Sequence, residues 1–310
     1  MRSMISSQHK IYQNQKQPSL WMLLGIAQCI VWFVYLPHFS KLYWERIFGS
    51  LSTEASEIIL SMIGPLWFTM YTMIMIPIYY VEHPFFEQHK IQYDRVWPWK
   101  DPSKQVRIEF WKCCIRSISY TIVNFFILIP LLLILKVKIN RWLDLPMTSF
   151  SLEDWPTYQD LLIENICMTV LHEFGFYMTH KWMHSNPFLY RYHKIHHEYK
   201  MNVCIAAQHN HPVDSLLSIV TPAILSTAIV KPHSFTTFQW GLWVLYANLD
   251  DHVGYAFPWS AVRWFPTAAL TDEHEFHHSK NLGCYGSKLN IFNLLFGGYE
   301  HYKKTKQIKI

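Results

Sequence analysis

Charge is scarce in this chain. Of 310 residues only 16% are Asp, Glu, Lys or Arg, against roughly 25% in ordinary soluble domains. Glycine is scarce too: 10 residues, fewer than the 14 Trp, in a chain that is 17% aromatic. That excludes an ordinary soluble globular protein. The net charge is only +5, and the basic residues form no single stripe, which excludes nucleic acid as a partner. No C-x-x-C pair joins any of Cys29, Cys113, Cys114, Cys167, Cys204 and Cys284, so neither a disulfide framework nor a thiolate zinc site is expected. The chain has no internal repeat, low-complexity segment or structureless linker. Residues 1–18 are polar, with Lys10 and Lys16, and no small-residue cleavage site follows the first apolar run. That run is therefore expected to be a retained anchor and not a removed signal.

What the chain does have is apolar length. Runs able to span a bilayer occur at Leu20–Leu36, Ile58–Val81 and Ile118–Leu135, near the ~20 residues a crossing needs. A fourth, Leu161–Met178, is interrupted by Glu164, His172 and Glu173. Leu216–Val230 and Phe235–Leu249 are short and nearly contiguous, which predicts a shallow hairpin half in the membrane. Residues 82–112 hold Lys90, Arg95, Lys100, Lys104, Arg107 and Lys112, whereas 142–160 hold Asp144, Glu153, Asp154 and Asp160 with no Lys or Arg. Lys/Arg excess marks the cytoplasmic side, so the first loop and the N-terminus are expected in the cytosol and the second loop in a lumen. Trp97 and Trp99 suit an interfacial belt or a core. The expected fold is mainly α: about four membrane helices plus the hairpin, with residues 1–81 as anchor and 82–310 as a catalytic domain.

Thirteen of the 18 His fall between His172 and His278. His180 and His184 are an i, i+4 pair, and His193-KI-His196-His197 and His274-EF-His277-His278 repeat one H-x-x-H-H pattern. Residues i, i+3 and i+4 of a helix share one side, so each box offers three imidazoles to a first-row metal. With His211 in HNHPVD and His252 in DDHVGY, ten nitrogens are on offer, too many for one metal and suited to two. Without a metal, three clustered buried imidazoles would leave polar nitrogens to satisfy. The scattered His9, His38, His83, His89, His233 and His301 are read as surface or core residues. His172, two turns from His180, is a candidate supporting residue. So are Glu173, which could orient an imidazole, His209, which could replace His211 as a ligand, and Asp251. His172-Glu173 is not followed by a second His at the H-E-x-x-H spacing of a hydrolytic zinc site.

In order and separation, H-K-W-M-H, H-K-I-H-H-E-Y, H-P-V-D, D-H-V-G-Y and H-E-F-H-H resemble the boxes of the fatty acid hydroxylase / sterol desaturase superfamily over roughly residues 80–302. Lys90-IQYD-Arg95 and L-L-F-G-G look most like its methylsterol (C-4) monooxygenases. The resemblance implies a membrane-embedded helical fold with a cytosolic diiron cap in the endoplasmic reticulum. Two Fe ions, with Zn as a substitute, would be held by His180, His184, His193, His196, His197, His211, His252, His274, His277 and His278. It also implies a sterol or other lipid substrate, O2, and electrons from NAD(P)H through cytochrome b5 and its reductase. Neither H-P site continues into a haem-binding loop, so that donor is expected to be a separate protein. C-5 sterol desaturation and fatty acid or sphingolipid hydroxylation are the alternatives within this chemistry. A zinc-binding transporter or scaffold is the alternative outside it.

Overall fold

The computed structural model describes residues 20–265 and 267–307. The expectations placed on residues 1–18 and on His9 lie outside the described residues. Ten helices are numbered in chain order: α1 Leu20–Phe48, α2 Thr53–Val81, α3 Lys104–Trp142, α4 Tyr158–Ser185, α5 Pro187–His196, α6 Pro212–Val230, α7 Ser234–Asp251, α8 Thr271–Lys280, α9 Ile291–Phe296 and α10 Glu300–Gln307. A one-turn helix at Pro84–Glu87 and three 3₁₀ turns are left unnumbered. Among the described residues there are two isolated bridges and no strand.

Four helices are long and apolar enough to cross a membrane: α1, α2, α3 and α6. The first three are the expected runs. The fourth is not. α4 has the length, but Asp160, Glu164, Glu173 and Lys181 interrupt it, and the expected hairpin arm instead gains Pro212–Ser215 to make the 19-residue α6. α4 still turns an apolar stripe outward, at Leu162, Ile166, Val170, Phe174 and Met178, and buries His172, Glu173, Tyr177 and His180. That two-faced pattern is what a helix between lipid and a polar core requires. It meets α6 closely at Gly175, where an added Cβ would lie 3.0 Å from Pro222 Cβ.

Three stretches widen to π turns: Val31–Tyr35, Asn124–Leu128 and Ser215–Val220. Each precedes a proline near the start of the α-helix that resumes, at Pro37, Pro130 and Pro222. Proline lacks an N–H and its ring crowds the carbonyl four residues back, so a wider turn relieves the clash. Pro65 and Pro77 lie in unbroken α2, so proline permits the widening without forcing it.

The connections 49–52, 143–157 and 231–233 gather at one end of the bundle. Trp44 Nε1 donates to the Phe150 carbonyl (3.0 Å), and Ser234 N–H donates to that of Ser149 (3.0 Å). The other end carries a cap built from 82–103, 186–211, 252–265 and 267–307, closed over Tyr79. The Tyr79 hydroxyl accepts from Cys204 N–H (2.9 Å) and donates to the Val253 carbonyl (2.9 Å). Trp97 is 1% exposed and stacks on Trp99 at 5.1 Å. Both belong to this core and not to an interfacial belt.

Candidate metal centre

Each histidine box is delivered by a defined helix end. In α4 a capping box between Thr157 and Asp160 sets the start, and His180 and His184 arrive in the last turns. Asn186 then caps α5, accepting the N–H groups of Phe188 and Leu189 at 2.9 and 3.2 Å, and α5 presents His193, His196 and His197. α7 ends at His252. α8 carries His274, His277 and His278, and stops where Asn281 turns left-handed.

Nine imidazoles converge in two groups. His180, His184, His193, His197 and His277 form one, and His196, His252, His274 and His278 the other. Each H-x-x-H-H box is split: its i, i+4 pair stays together and its middle residue crosses to the other group. The reason is angular. At about 100° per residue, i and i+4 lie about 40° apart on the helix, while i+3 and i+4 are about 100° apart. One helix can thus serve two adjacent centres.

The nitrogens face one another as bare lone pairs. Within the first group Nε2 atoms lie 3.0 Å apart for His184–His193, 3.1 Å for His184–His277 and 3.1 Å for His180–His277. In the second, His252–His274 is 3.0 Å and His274–His278 3.1 Å. His180 Nδ1 lies 2.7 Å from the Tyr285 carbonyl, and His277 Nδ1 also meets a carbonyl, that of Gly283. A carbonyl only accepts, so both rings carry their proton on Nδ1. Neither Nε2 can then donate to the other. Lone pairs at that distance need a cation between them, and ligands about 2.0–2.1 Å from one metal at bond angles of 90–109° are about 2.8–3.4 Å apart. The donor set therefore fits a metal in each group. His193 Nδ1 is fixed by Asp214 Oδ2 (2.9 Å), and His252 Nδ1 by the Asn248 carbonyl (2.7 Å). The Nδ1 atoms of His196, His197, His274 and His278 are buried without a partner.

Burial keeps these rings neutral, the form that binds metal. His252 and His277 are each pushed down to about 3 chiefly by burial, and burial with neighbouring imidazoles takes His196, His197, His274 and His278 well below the usual range.

His211 is not brought to either group. Pro212 does fix its direction, but toward the start of α6: His211 Nδ1 accepts Val213 N–H (3.2 Å) and the ring packs on Tyr192 at 4.8 Å. The residue of that segment that reaches the centre is Asp214. Its place in H-P-V-D, three residues after His211, was the available signal. His209 lies between Glu198 Oε2 (2.9 Å) and Ser117 Oγ (2.9 Å). Cys113 completes a smaller group there, where Arg116 already pairs with Glu198 at 2.7 Å. Glu173 touches no site imidazole. It accepts the N–H of Ser287 and, at 2.9 Å, of Lys288, and so holds the loop whose Tyr285 carbonyl fixes His180. Asp251 accepts from Ser287 Oγ (2.8 Å) on the same loop. His172 packs edge-on against Trp240, below the centre on the cavity wall. Gly283, at φ +67°, supplies the carbonyl for His277, and a side chain there would strike the Gly298 carbonyl.

A cavity of about 330 Å³ runs from His180, His193, His196, His252 and His274 down between α2, α3, α6 and α7, past Leu60, Phe125, Ile219 and Leu245, to Glu57 and Thr148. Such a layout defines a class by its architecture: a bundle of apolar helices with a candidate metal centre opening on an apolar cavity.

Comparison with known proteins agrees with that class. Residues 165–298, which contain all nine converging histidines, match the model of the fatty acid hydroxylase family. It is 26% identical to methylsterol monooxygenase 2-2 of Arabidopsis thaliana over 201 residues, 64% of this chain and 72% of the relative. It is 27% identical to very-long-chain aldehyde decarbonylase GL1-8 of Oryza sativa subsp. indica, with the same coverage. It is 28% identical to methylsterol monooxygenase erg25B of Aspergillus fumigatus over 50% of this chain and 55% of the relative. No solved structure matches.

Proposed function

We propose that this chain is a diiron oxidase that uses O2 to oxidise a sterol at a C-4 methyl group. The observation that supports it best is the pair of imidazole groups, their Nε2 atoms facing one another, opening on one apolar cavity. His180, His184, His193, His197 and His277 would hold one iron, and His196, His252, His274 and His278 the other. Bound there, the two irons would supply the redox chemistry of O2, which no side chain can. The chain's own part is to hold the donors neutral, exclude water and present one C–H bond at short range. Methylsterol oxidation is what several relatives are named for. The aldehyde decarbonylase relatives, at similar identity, keep a long-chain aldehyde as the second reading.

The histidines cap one end of the bundle, unlike the midplane site of a transporter. That end carries Lys90, Arg95, Lys100, Arg191, Lys194, Lys200 and Lys280, while the opposite connections have only Lys231 beside Asp144, Glu153 and Asp154. This asymmetry favours a cytosolic cap, open to a separate cytochrome b5 and its reductase, in the endoplasmic reticulum. The test is metal analysis of anaerobically purified protein joined to sterol profiling of a deletion strain. Two bound metals, both redox-active iron, are expected, with accumulated 4-methylsterols. A single zinc with unchanged sterols would end the reading.

A further inference from the structure

The bundle holds a second cavity, of about 620 Å³, at the end away from the metal site. α3 packs chiefly along α2, and α6 along α4. The cavity fills the seam left between α3 and α6. Leu132, Leu135 and Ile139 line one wall, and Ile224 and Ala228 the other. Leu135 and Ile139 are also 47% and 41% exposed, so the seam opens on the lipid side.

Thr148 and Thr237 line both this cavity and the one below the metal site. An ion pair lies beside them. Lys136 Nζ is 3.1 Å from Glu57 Oε1 and donates to Thr148 Oγ1 at 3.2 Å. Glu57 lines the first cavity and Lys136 the second, and their side chains keep 9% and 19% exposure. The pair joins two spanning helices, α2 and α3, about one turn inward of the Glu54–Arg141 pair. Ionisable groups inside such helices are costly and commonly mark a substrate path. A dry wall between two apolar chambers would need none. Size is an independent reason to join the cavities. At about 30 Å³ for each water-sized group, the 330 Å³ of the first cavity takes about eleven such groups. A sterol with its side chain has more than twice as many carbons, so the first cavity holds the reacting end of such a lipid and not the whole.

We propose that the two cavities form one lipid site. The reacting end lies below the metals, the molecule passes a neck at Thr148 and Thr237, and its trailing hydrocarbon end occupies the second cavity between α3 and α6. This inference rests on the reading that an oxidisable lipid fills the first cavity. It adds a distal subsite that sets how long or bulky that lipid can be. Lipid hydrocarbon is as apolar as the leucines of the wall, so the subsite provides room more than affinity, and its test is exclusion.

The test is equilibrium binding to the full-length, metal-loaded protein in detergent. Two pairs of ligands serve as probes: a 4-methylsterol and its analogue without the side chain, and a very-long-chain aldehyde and one cut to a length the first cavity holds by itself. Ala228→Trp places a ring in the second cavity, and Thr237→Phe places one in the neck. Each should weaken the longer member of the better-bound pair by about tenfold or more, as overpacking implies. The shorter member should change by less than about threefold, with metal content unchanged. Leu225→Trp, on the exposed side of α6 and lining neither cavity, should affect neither. Length-selective loss in either cavity variant supports the proposal. Its absence from both, whether affinity is kept or both members weaken alike, overturns it. The choice of skeleton reads the parent hypothesis separately. Length-selective loss seen only with the aldehydes would end the sterol reading and leave the subsite standing. Sterols that bind wild type and both variants equally would do the reverse. A wild type that binds neither pair would end the lipid reading of the first cavity, and the proposal with it.

Discussion

Asp214 is 1% exposed, and its carboxylate divides its work: Oδ2 fixes His193 Nδ1 at 2.9 Å and Oδ1 accepts from Ser218 Oγ at 2.8 Å. In Asp214→Ala the His193 ring has no acceptor for its Nδ1 proton. The proton can then move to Nε2, where it points at His184 and His197 Nε2, each 3.0 Å away. That removes one lone pair of five and sets a proton among the rest. Loss of such an orienting carboxylate typically lowers metal affinity about 10–100-fold, or ~1.4–2.7 kcal/mol. Asp214→Asn should do much less. Its amide oxygen can still accept from His193, while its amide nitrogen donates to Ser218 Oγ, whose own proton goes to the Asp214 carbonyl at 2.8 Å. The assay is chelator competition on purified protein, read as metal retained and independent of turnover. Equal retention by the alanine variant and wild type, or equal loss in both variants, would refute the argument that tautomer control at His193 matters.

Single-histidine variants should separate the two groups. His196→Ala leaves its group three ligands and should lose about one metal of two, whereas His277→Ala leaves four of five and should bind its metal more weakly without losing it; atomic spectroscopy after desalting distinguishes them. His211→Ala should keep both metals, and metal loss there as severe as in His196→Ala would show the grouping to be wrong. Stripped of metal, the protein should lose stability in acid. The folded-state values of His252 and His277 lie at about 3, below the unfolded value of about 6.5. Their contribution is therefore full above about 6.5 and falls by up to ~1.4 kcal/mol per pH unit for each group on acidification toward 3. Thermal melting at pH 7.5 and 5.5 checks this, and a flat profile would refute it. Gly175→Val should force α4 from α6 and cost about 1–3 kcal/mol while leaving every ligand in place, read as a lowered Tm with metal still bound. A glycosylation acceptor in 143–157 should be modified and one in 82–103 should not; the opposite pattern would put the histidines in the lumen.

The first three spans were legible because each is a long uninterrupted apolar run, and hydropathy alone carries that signal. The fourth expected run, Leu161–Met178, falls outside the four apolar spans for a physical reason. α4 lies between lipid and the metal centre, so its outer stripe is apolar while its inner stripe is Glu173, His172 and His180. An average over both faces sees a broken span. α6 was undercounted because its first turn is Pro212-Val213-Asp214, and a buried aspartate looks like a loop until its partner His193 is known. Trp97 and Trp99 were ambiguous because an aromatic at a membrane interface and one in a cap core have the same sequence signature. Burial of Trp97 in the cap core, with Trp99 packed against it, decides it.

For the site, spacing displayed the boxes but not their sorting. An H-x-x-H-H pattern was read as three rings on one side, as if each box served one metal. The same helical geometry, carried one step further, separates i+3 from i+4 by about 100°. Two facing helices, α5 and α8, then each give two rings to one centre and one ring to the other. That reciprocal exchange ties the groups together, since neither helix can shift without disturbing both. His211 failed by a related route. The pre-orientation argument from Pro212 was sound, but a proline at the start of a helix aims the preceding side chain at the helix's own free N–H groups. The imidazole caps α6, and the residue one turn further on faces the histidines. Direction, and not rigidity alone, decides which of two neighbouring polar residues supports the metal centre, and direction depends on where the helix points, which one sequence without its packing does not contain.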